Sequence, residues 1–282
     1  MMAEKDDLDD KVARLEASLA QMRSVLVAFS GGVDSTLLLK IAHNVLGDKV
    51  LAVTAVSQLT SRQEKRDAEE MAALIGATHL QIESDDLADT VFTANPKDKC
   101  YHCKKRRFGL LKQMAGDKGF NFVVDGTNRD DFGDYRPGLQ AIRELEIRSP
   151  LSEAGFHKEE IRRLSRRLEL PTWEKSSAAC LASRVPYGDK ITAEKLRQID
   201  EGEMFLRGLD VGEPIRVRHH GSLARIEVPA EALERFMEAK LRNQVTDFFK
   251  GLGFQFVALD LEGYAMGSLN RELAAKEGHQ NG

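Results

Sequence analysis

The sequence predicts an α/β protein in which a doubly wound parallel sheet is followed by a smaller C-terminal α+β domain. Apolar, strand-like runs alternate with helical patterns through roughly the first 180 residues. Such alternation is typical of a parallel sheet with helices on both faces. After Val185-Pro186-Tyr187-Gly188 this alternation ends, and a helix followed by period-two segments begins a different pattern.

The first part of the chain contains four predicted strands and three predicted helices. The strands are Val25–Phe29, Val50–Val56, His79–Glu83 and Phe122–Asp125. The helices are Thr36–Leu46, Ser61–Ile75 and Tyr101–Gly116. Ser61 followed by Glu64 has the spacing of a capping box, and Gly76 is a typical helix stop.

The second part is predicted as helices mixed with short strands. The helices are Thr192–Arg207 and Glu231–Leu241, and the strands are the run from Pro214 to Gly221, Leu223–Val228 and Phe254–Leu259. We therefore predict an amphipathic helix over 1–24, an α/β domain over 25–185, an α+β domain over 186–275 and a flexible tail over 276–282.

Composition and charge argue against several classes of protein. The 282 residues include 41 Lys and Arg against 45 Asp and Glu, a net charge of −4, so we expect no large basic surface for a nucleic acid. No apolar run reaches the length of about 18 residues that a membrane span needs. Residues 1–24 are acidic and carry Leu8, Val12, Leu15 and Leu19 at helical spacing, which predicts a docking helix rather than a secretory signal. We expect a cytoplasmic protein, and its three cysteines predict no closed disulfide framework.

The most informative segment is Ser30-Gly31-Gly32-Val33-Asp34-Ser35, between the first strand and the first helix of the sheet. Its glycines let the backbone approach a ligand closely, and the N-terminus of the following helix favours an anion. The hydroxyls of Ser30 and Ser35 add hydrogen-bond donors, and the Asp34 carboxylate can hold Mg²⁺ against phosphates. No Gly-Lys-Ser/Thr follows, so the segment is not a Walker A loop.

Other polar residues are predicted at the same edge of the sheet, beyond the carboxyl ends of the strands. Ser57 follows the second strand, and Gly126-Thr127-Asn128 follows the fourth. The acidic loop after them carries Asp130, Asp131 and Asp134, which suit either a Mg²⁺ site or a solvated surface.

All three cysteines fall in two basic segments, Cys100-Tyr101-His102-Cys103 and Ala179-Cys180-Leu181. Neighbouring cations, among them Arg184, favour the thiolate needed for nucleophilic attack or metal binding. Three thiolates can hold three irons of a [4Fe–4S] cluster, whereas a zinc site would need a fourth ligand such as His102. Three unrelated, inert cysteines remain the alternative.

A fourth group of charged residues is predicted in the C-terminal domain. Arg216 and Arg218 project to the same face of a strand, and two parallel guanidinium groups suit a phosphate or a pair of carboxylates. Glu203 and Glu227 lie on neighbouring elements as candidate ligands of a divalent cation. The alternative is a solvated face of Arg–Glu pairs. His219 and His220 are interpreted as turn residues.

The loop resembles that of the ATP pyrophosphatases, and longer segments resemble the LarE family of ATP-dependent sacrificial sulfur transferases, which make the nickel-pincer cofactor of lactate racemase. The matching segments are SGGVDS, CYHCKKRRF, GTNRDDFGDYRPG, SPLSEAGFHKEEIR, ACLASRVPYGDKIT and RVRHHGSLARIEV. One departure is Ser176 after Lys175, where proline is expected. The resemblance implies an adenine nucleotide alpha hydrolase-like fold over 25–185 and a substrate and oligomerisation domain over 186–275.

The resemblance also implies a reaction. ATP and Mg²⁺ would bind at Ser30, Gly31, Gly32, Asp34 and Ser35, with Ser57, Gly126, Thr127 and Arg184 beside them. A carboxylate of pyridinium-3,5-biscarboxylic acid mononucleotide would be adenylated with release of pyrophosphate and converted to a thiocarboxylate, with Asp34, Ser35 and Cys180 as catalytic residues. Arg216 and Arg218 would hold the substrate phosphate.

Two sulfur sources are implied by the family. In members with one cysteine, the residue matching Cys180 loses its own sulfur and becomes dehydroalanine. Members with three cysteines are associated with a [4Fe–4S] cluster, so Cys100, Cys103 and Cys180 favour the cluster here. The resemblance further implies a homo-oligomer that serves a nickel-inserting enzyme and a lactate racemase-like apoprotein only indirectly. Rival interpretations are a tRNA thiolase, an amidating synthetase of the NAD or GMP type, and a nucleotide-binding scaffold without activity.

Overall fold

The computed structural model describes residues 2–133, 137–175 and 179–265. The predictions made for Asp134, Ser176 and the tail 276–282 lie outside the described residues. The chain divides into two compact units, the first formed by Met1–Asp86 and Lys97–Ala178 and the second by Leu87–Pro96 and Ala179–Gly282.

The first unit contains the predicted parallel sheet. Its strands are β1 (Val25–Ala28), β2 (Val50–Val56), β3 (Thr78–Glu83) and β4 (Phe122–Val124). They pair in the order β3-β2-β1-β4, all in parallel. Its helices are α1 (Met2–Met22), α2 (Val33–Leu46), α3 (Arg62–Ile75), α5 (Lys99–Lys118), α6 (Gly138–Glu144), α7 (Pro150–Glu153) and α8 (Lys158–Arg167).

Helices cover both faces of this sheet, as the doubly wound class requires. Val25 and Val27 of β1 pack in one cluster with α1, α2 and α8, whereas Leu26 packs in a second cluster with α5 and α6. Successive side chains of a strand point to opposite faces, so both clusters follow from one apolar run. The fold class is therefore confirmed.

The N-terminal helix docks as its pattern predicts. Leu8, Leu15 and Leu19 are buried in the first cluster and Val12 packs against it. On the polar side, Lys11 Nζ donates to Glu160 of α8 at 2.6 Å. No helix among the described residues has the length and apolarity needed to cross a membrane.

The second unit contains α4 (Thr90–Thr93), α9 (Ala193–Gly208), α10 (Ala239–Gly251) and a three-stranded sheet of β5 (Arg216–His220), β6 (Leu223–Glu227) and β7 (Phe256–Leu259). The pair β5–β6 is antiparallel, and β6–β7 is parallel. The predicted helix Glu231–Leu241 is wrong: Ala230–Met237 form a 3-10 helix, and α10 begins after the extended residue Glu238. Burial of Ala232 and Phe236 satisfies the apolar pattern in either helix type, so periodicity alone could not separate them.

His219 and His220 lie on β5, not in a turn, so that interpretation is wrong too. His219 is buried, and its Nε2 lies 2.9 Å from Gln198 Oε1 of α9. Gln198 Nε2 donates to the Leu252 carbonyl, so its Oε1 accepts from the imidazole. The strand register and this contact, rather than turn chemistry, explain the position of His219.

Candidate active site

The loop between β1 and α2 is shaped by its own two serines. Ser30 Oγ and Ser35 Oγ lie 3.1 Å apart, and Ser35 Oγ donates to the Gly32 carbonyl at 3.2 Å. Gly32 is the N-cap of α2, and no described side chain caps it. No described side chain therefore caps the first amides of α2, which is where the sequence predicts an anion to bind.

Two glycines allow the backbone to pack tightly around this loop. Gly31 has φ +64, and a Cβ placed on it would lie 2.8 Å from the backbone nitrogen of Ala68 in α3. A Cβ on Gly126, beyond β4, would lie 2.9 Å from the backbone nitrogen of Ser35. The neighbours are backbone atoms that cannot turn aside, so the loop requires glycine at both positions.

Asp34 is held by two residues from later in the chain. Lys158 Nζ donates to Asp34 Oδ2 at 2.5 Å, and Asn128 Nδ2 donates to Asp34 Oδ1 at 3.2 Å. Lys158 is the first residue of α8, and its backbone N–H donates to Asp130 Oδ2 at 2.8 Å. This backbone bond, followed by the contact with His157, lowers the pKa of Asp130. Asp130 thus anchors α8 so that Lys158 reaches the loop, a role that the sequence did not reveal.

Lys175 contacts the loop from a second direction. Its Nζ donates to the Gly31 carbonyl at 2.8 Å and pairs with Asp67 of α3 at 2.5 Å. The ammonium group of Lys175 thereby fixes the position of the Gly31 carbonyl. Lys175 lies five residues before Cys180 in the sequence. Among the described residues, Lys158 and Lys175 therefore both reach this loop, and each is paired with a carboxylate, that of Asp34 or Asp67.

The predicted site residues beyond β2 and β4 lie at the same edge of the sheet. Ser57 Oγ accepts from Arg107 Nη2 at 2.8 Å, and Arg107 also pairs with buried Asp86 at 2.7 Å. The Thr127 hydroxyl donates to Asp125 Oδ2 at 2.6 Å. Arg107 was not singled out from the sequence, where it appears only as part of a basic run.

Cys100 and Cys103 lie in the first turns of α5. Their spacing places them on one face of the helix, and Arg107, four residues after Cys103, continues that face. Cys100 is exposed and Cys103 half-buried. In residues 2–133, 137–175 and 179–265, no group of three or more His, Cys, Asp or Glu side chains is arranged to hold a metal ion. The iron–sulfur ligand set therefore stays a prediction.

In the second unit, Cys180 is the residue before a 3-10 helix, Leu181–Arg184. Its carbonyl accepts from the Ser183 hydroxyl at 2.7 Å and from Arg184 Nη1 at 2.8 Å. Arg184 also donates to the Ala179 carbonyl. The backbone around the half-buried thiol is thus held by one arginine.

Two buried arginine–carboxylate pairs extend from Arg184. Arg184 donates to both oxygens of Glu203, at 2.9 and 3.2 Å, and Arg218 does the same to Glu227, at 3.0 and 2.8 Å. Arg218 Nη1 also reaches the Ser183 carbonyl at 3.0 Å. Burial opposes ionisation of Glu203, but the Arg184 charge and hydrogen bonds outweigh it and lower the pKa of Glu203. Both carboxylates thus have arginine partners, and their predicted role as cation ligands stays a prediction.

Arg216 differs from the other two arginines. Its Nη1 donates to its neighbour's carbonyl, that of Ile215, and its guanidinium lies over the Tyr264 ring at 5.3 Å. Burial and the nearby Arg184 charge lower the pKa of Arg216. Among the described residues of this unit, the buried charged side chains are the cations Arg184, Arg216 and Arg218 and the carboxylates Asp200, Glu203 and Glu227. The predicted role of Arg216 and Arg218 in binding the substrate phosphate stays a prediction.

Comparisons with known proteins identify the family of this chain. Residues 5–135 match the model of the PP-loop domain. Pyridinium-3,5-bisthiocarboxylic acid mononucleotide synthase of Lactiplantibacillus plantarum is 40% identical over 268 residues, covering 94% of this chain and 96% of that protein. The chain belongs to the LarE family of PP-loop proteins.

Two other relatives differ in how much of this chain they match. An uncharacterized protein of Synechocystis is 42% identical over 266 residues, covering 94% of this LarE-family chain and 99% of that protein. A glutamine-hydrolyzing GMP synthase chain of Methanocaldococcus jannaschii is 25% identical over 182 residues, covering 61% of this chain and 58% of that protein. The likeness to the mononucleotide synthase thus spans nearly the whole chain, whereas that to the GMP synthase spans part of it.

Proposed function

We propose that this protein uses ATP to convert a carboxylate of pyridinium-3,5-biscarboxylic acid mononucleotide into a thiocarboxylate. The proposal is carried by the glycine loop from Ser30 to Ser35, with two lysines on it, in a chain 40% identical to a synthase of the bisthiocarboxylic product. The wider family membership supports an enzyme that consumes ATP.

Activation of the carboxylate is the first step. A carboxylate oxygen attacks the α-phosphorus of ATP, the bond to the β-phosphate oxygen breaks, and pyrophosphate leaves. The amides at the start of α2, Lys158 and Lys175 stabilise the phosphate charge that develops there. Asp34 is a hard oxygen ligand at this position and would hold Mg²⁺, which neutralises phosphate charge when bound.

Transfer of sulfur is the second step. A sulfur nucleophile attacks the acyl carbon, AMP leaves, and the thiocarboxylate is released. In this proposal Cys180 takes part in transfer, and the buried cation Arg216, with Arg218, binds the substrate phosphate. The enzyme acts on a small molecule in the cytoplasm and forms a homo-oligomer.

The sulfur source follows from the cysteines. Cys100 and Cys103 share a helix face, and in this proposal these two thiols and Cys180 would each hold one iron of a [4Fe–4S] cluster whose fourth iron is open. Such a cluster, when bound, supplies a sulfide in place of the Cys180 sulfur. We expect anaerobically purified protein to contain iron and labile sulfide, and the Cys100→Ala/Cys103→Ala variant to contain neither.

Anaerobic turnover with ATP, sulfide and the mononucleotide tests the proposal. We expect one pyrophosphate and one AMP per thiocarboxylate formed, and Cys180→Ala should release pyrophosphate without forming thiocarboxylate. Intact mass distinguishes the sulfur sources: unchanged mass after repeated turnover supports the cluster, and loss of one sulfur from Cys180 contradicts it. Absence of pyrophosphate release with the mononucleotide would leave only a nucleotide-binding scaffold.

A further inference from the structure

A cavity of about 280 Å³ opens in the first unit beside the 3-10 helix Arg129–Gly133. One wall is apolar and comes from α6 and the segment after it, with Leu139, Ile142 and Ile147. Ile142 and Ile147 also belong to the buried cluster that includes α5. This wall is therefore part of the core and is formed before any ligand arrives.

Two arginines line the cavity without a carboxylate partner among the described residues. Arg129 and Arg143 form no ion pair there, and the guanidinium of Arg143 lies over the Phe132 ring at 5.7 Å. Nearby surface cations behave differently, since Lys105 pairs with Glu144 and Lys112 with Glu146. The cavity therefore carries two positive charges without an ion-pair partner among the described residues, whereas the neighbouring lysines are neutralised by glutamates.

The one acidic side chain in the described lining does not cancel this charge. Glu153 accepts from Arg148 at 2.8 and 2.5 Å and from the Ser149 amide at 3.1 Å. The Arg148 hydrogen bonds, working against burial, hold the pKa of Glu153 below its usual value, so the carboxylate is charged but already paired. Of the charged side chains in the described lining, Arg129 and Arg143 are therefore the two that have no partner of opposite charge among the described residues.

Size and an aromatic side chain narrow the class of anion. Phe132 lines the cavity and is 45% exposed, so much of its ring is not covered by the described chain. Sites for drug-sized ligands start at about 300 Å³, so this cavity suits one ring with its substituents rather than a whole nucleotide. A flat aromatic ring would shield the Phe132 ring and the apolar wall from water, whereas an inorganic anion would leave both exposed to water.

We propose that this cavity binds a planar aromatic dicarboxylate, with Arg129 and Arg143 holding its carboxylates and Phe132 packing against its ring. The pyridinium ring of the mononucleotide is such a group, and this identification of the natural ligand rests on the proposed function. The cavity lies next in the chain to Asn128, which holds Asp34, so the dicarboxylate ring would be bound by the same loop that shapes the nucleotide site.

Calorimetric titration of the full chain with benzene-1,3-dicarboxylate tests the cavity without requiring turnover. Each of Arg129→Gln and Arg143→Gln removes a charged hydrogen-bond donor, so each should weaken binding roughly tenfold or more. Phe132→Ala should weaken binding of this ring but not of inorganic phosphate. Arg163→Gln, which changes an exposed arginine of α8, should bind like the parent protein.

The outcomes separate the cavity from the proposed function. No binding by the parent protein, equal binding by the two arginine variants, or a preference for cyclohexane-1,3-dicarboxylate or phosphate overturns the cavity proposal. Pyrophosphate release with the mononucleotide is measured in parallel. If pyrophosphate is still released but the dicarboxylate binds equally well without Arg129 or Arg143, only the cavity proposal is overturned. If binding of the dicarboxylate depends on these arginines but no pyrophosphate is released, only the proposed function is overturned.

Discussion

At the scale of single residues, the glycine loop depends on partners that approach from distant parts of the chain. Lys158 is 124 residues from Asp34, and Lys175 is 144 residues from Gly31. Both ammonium groups are half-buried, which strengthens their interaction with a phosphate relative to open water. Two substitutions test whether this arrangement serves the nucleotide.

Lys158→Met should lower kcat/KM for ATP-dependent pyrophosphate release about 10- to 100-fold, because it removes a charged donor beside Asp34. The free energy of unfolding should change by about 1 kcal/mol or less, since the pair is partly solvated. Lys112→Met, which changes a lysine paired with Glu146, is the matched control. Equal kinetics of Lys158→Met and the parent would contradict a role at the phosphates.

Gly126→Ala should destabilise the protein by about 1–3 kcal/mol, because its Cβ would meet the Ser35 amide at 2.9 Å. A loop displaced by even about 1 Å should also lose about 100-fold in pyrophosphate release. Gly109→Ala is the control: nothing lies within 4 Å of its Cβ, and in the interior of α5 it should add about 0.5–1 kcal/mol. Urea unfolding measures the stability of the two variants, and a pyrophosphate assay measures their activity. A fully active Gly126→Ala variant would be inconsistent with close packing here.

At the scale of elements, α9 and β5 are joined by buried charge. Glu203 of α9 accepts from Arg184 and also from the Val217 amide of β5, at 3.2 Å. A buried pair of this kind contributes little net stability, yet loss of one partner leaves a charge without compensation. The pair thus fixes how the 3-10 helix after Cys180 lies against α9.

Glu203→Gln should therefore cost about 3–5 kcal/mol, because Arg184 would remain buried beside a neutral amide. Glu201→Gln, on the same helix, changes a more exposed pair with Arg197 and should cost about 0–1 kcal/mol. Denaturant unfolding of both variants measures the difference. Similar losses in the two would mean that burial does not strengthen the Arg184–Glu203 pair.

At the scale of the whole molecule, His79, His219 and Glu203 all make the free energy of unfolding change with pH in the same direction. Burial lowers the pKa of His79 and of His219 below 6.5. The pKa of Glu203 is lowered below 4.5 by Arg184 despite its burial. In each case the unfolded chain binds more protons than the folded one, so stability rises with pH through these windows.

The free energy of unfolding should therefore fall as pH drops below 6.5, and fall further below 4.5. Urea unfolding at a series of pH values measures this. The variant His79→Gln/His219→Gln should flatten the upper part of the curve and leave the part below 4.5 in place. Stability that increases on acidification would reverse the sign worked out here.

Much of the fold follows from local pattern. The four parallel strands, the capping box at Ser61 and the docking face of α1 all depend on spacings within one segment. The 3-10 helix Ala230–Met237 was missed because its buried residues have a spacing that an α-helix shares. Residues 87–96 belong to the second unit, where Asn95 Nδ2 donates to the Pro186 carbonyl at 2.6 Å, and no periodicity signals such a contact.

The sequence by itself determined the parallel sheet, the glycine loop and the positions of the thiols, because strand periodicity, glycine and cysteine carry their meaning locally. Tertiary structure alone decided which charges meet: Lys158 with Asp34, Arg107 with Asp86, and Arg184 with Glu203. It also placed Arg129 and Arg143, which form no ion pair in the described part of the chain, beside Phe132 in the lining of the cavity. The local sequence around a lysine or arginine does not show which carboxylate it will pair with, because that partner is brought near by a distant segment of the chain.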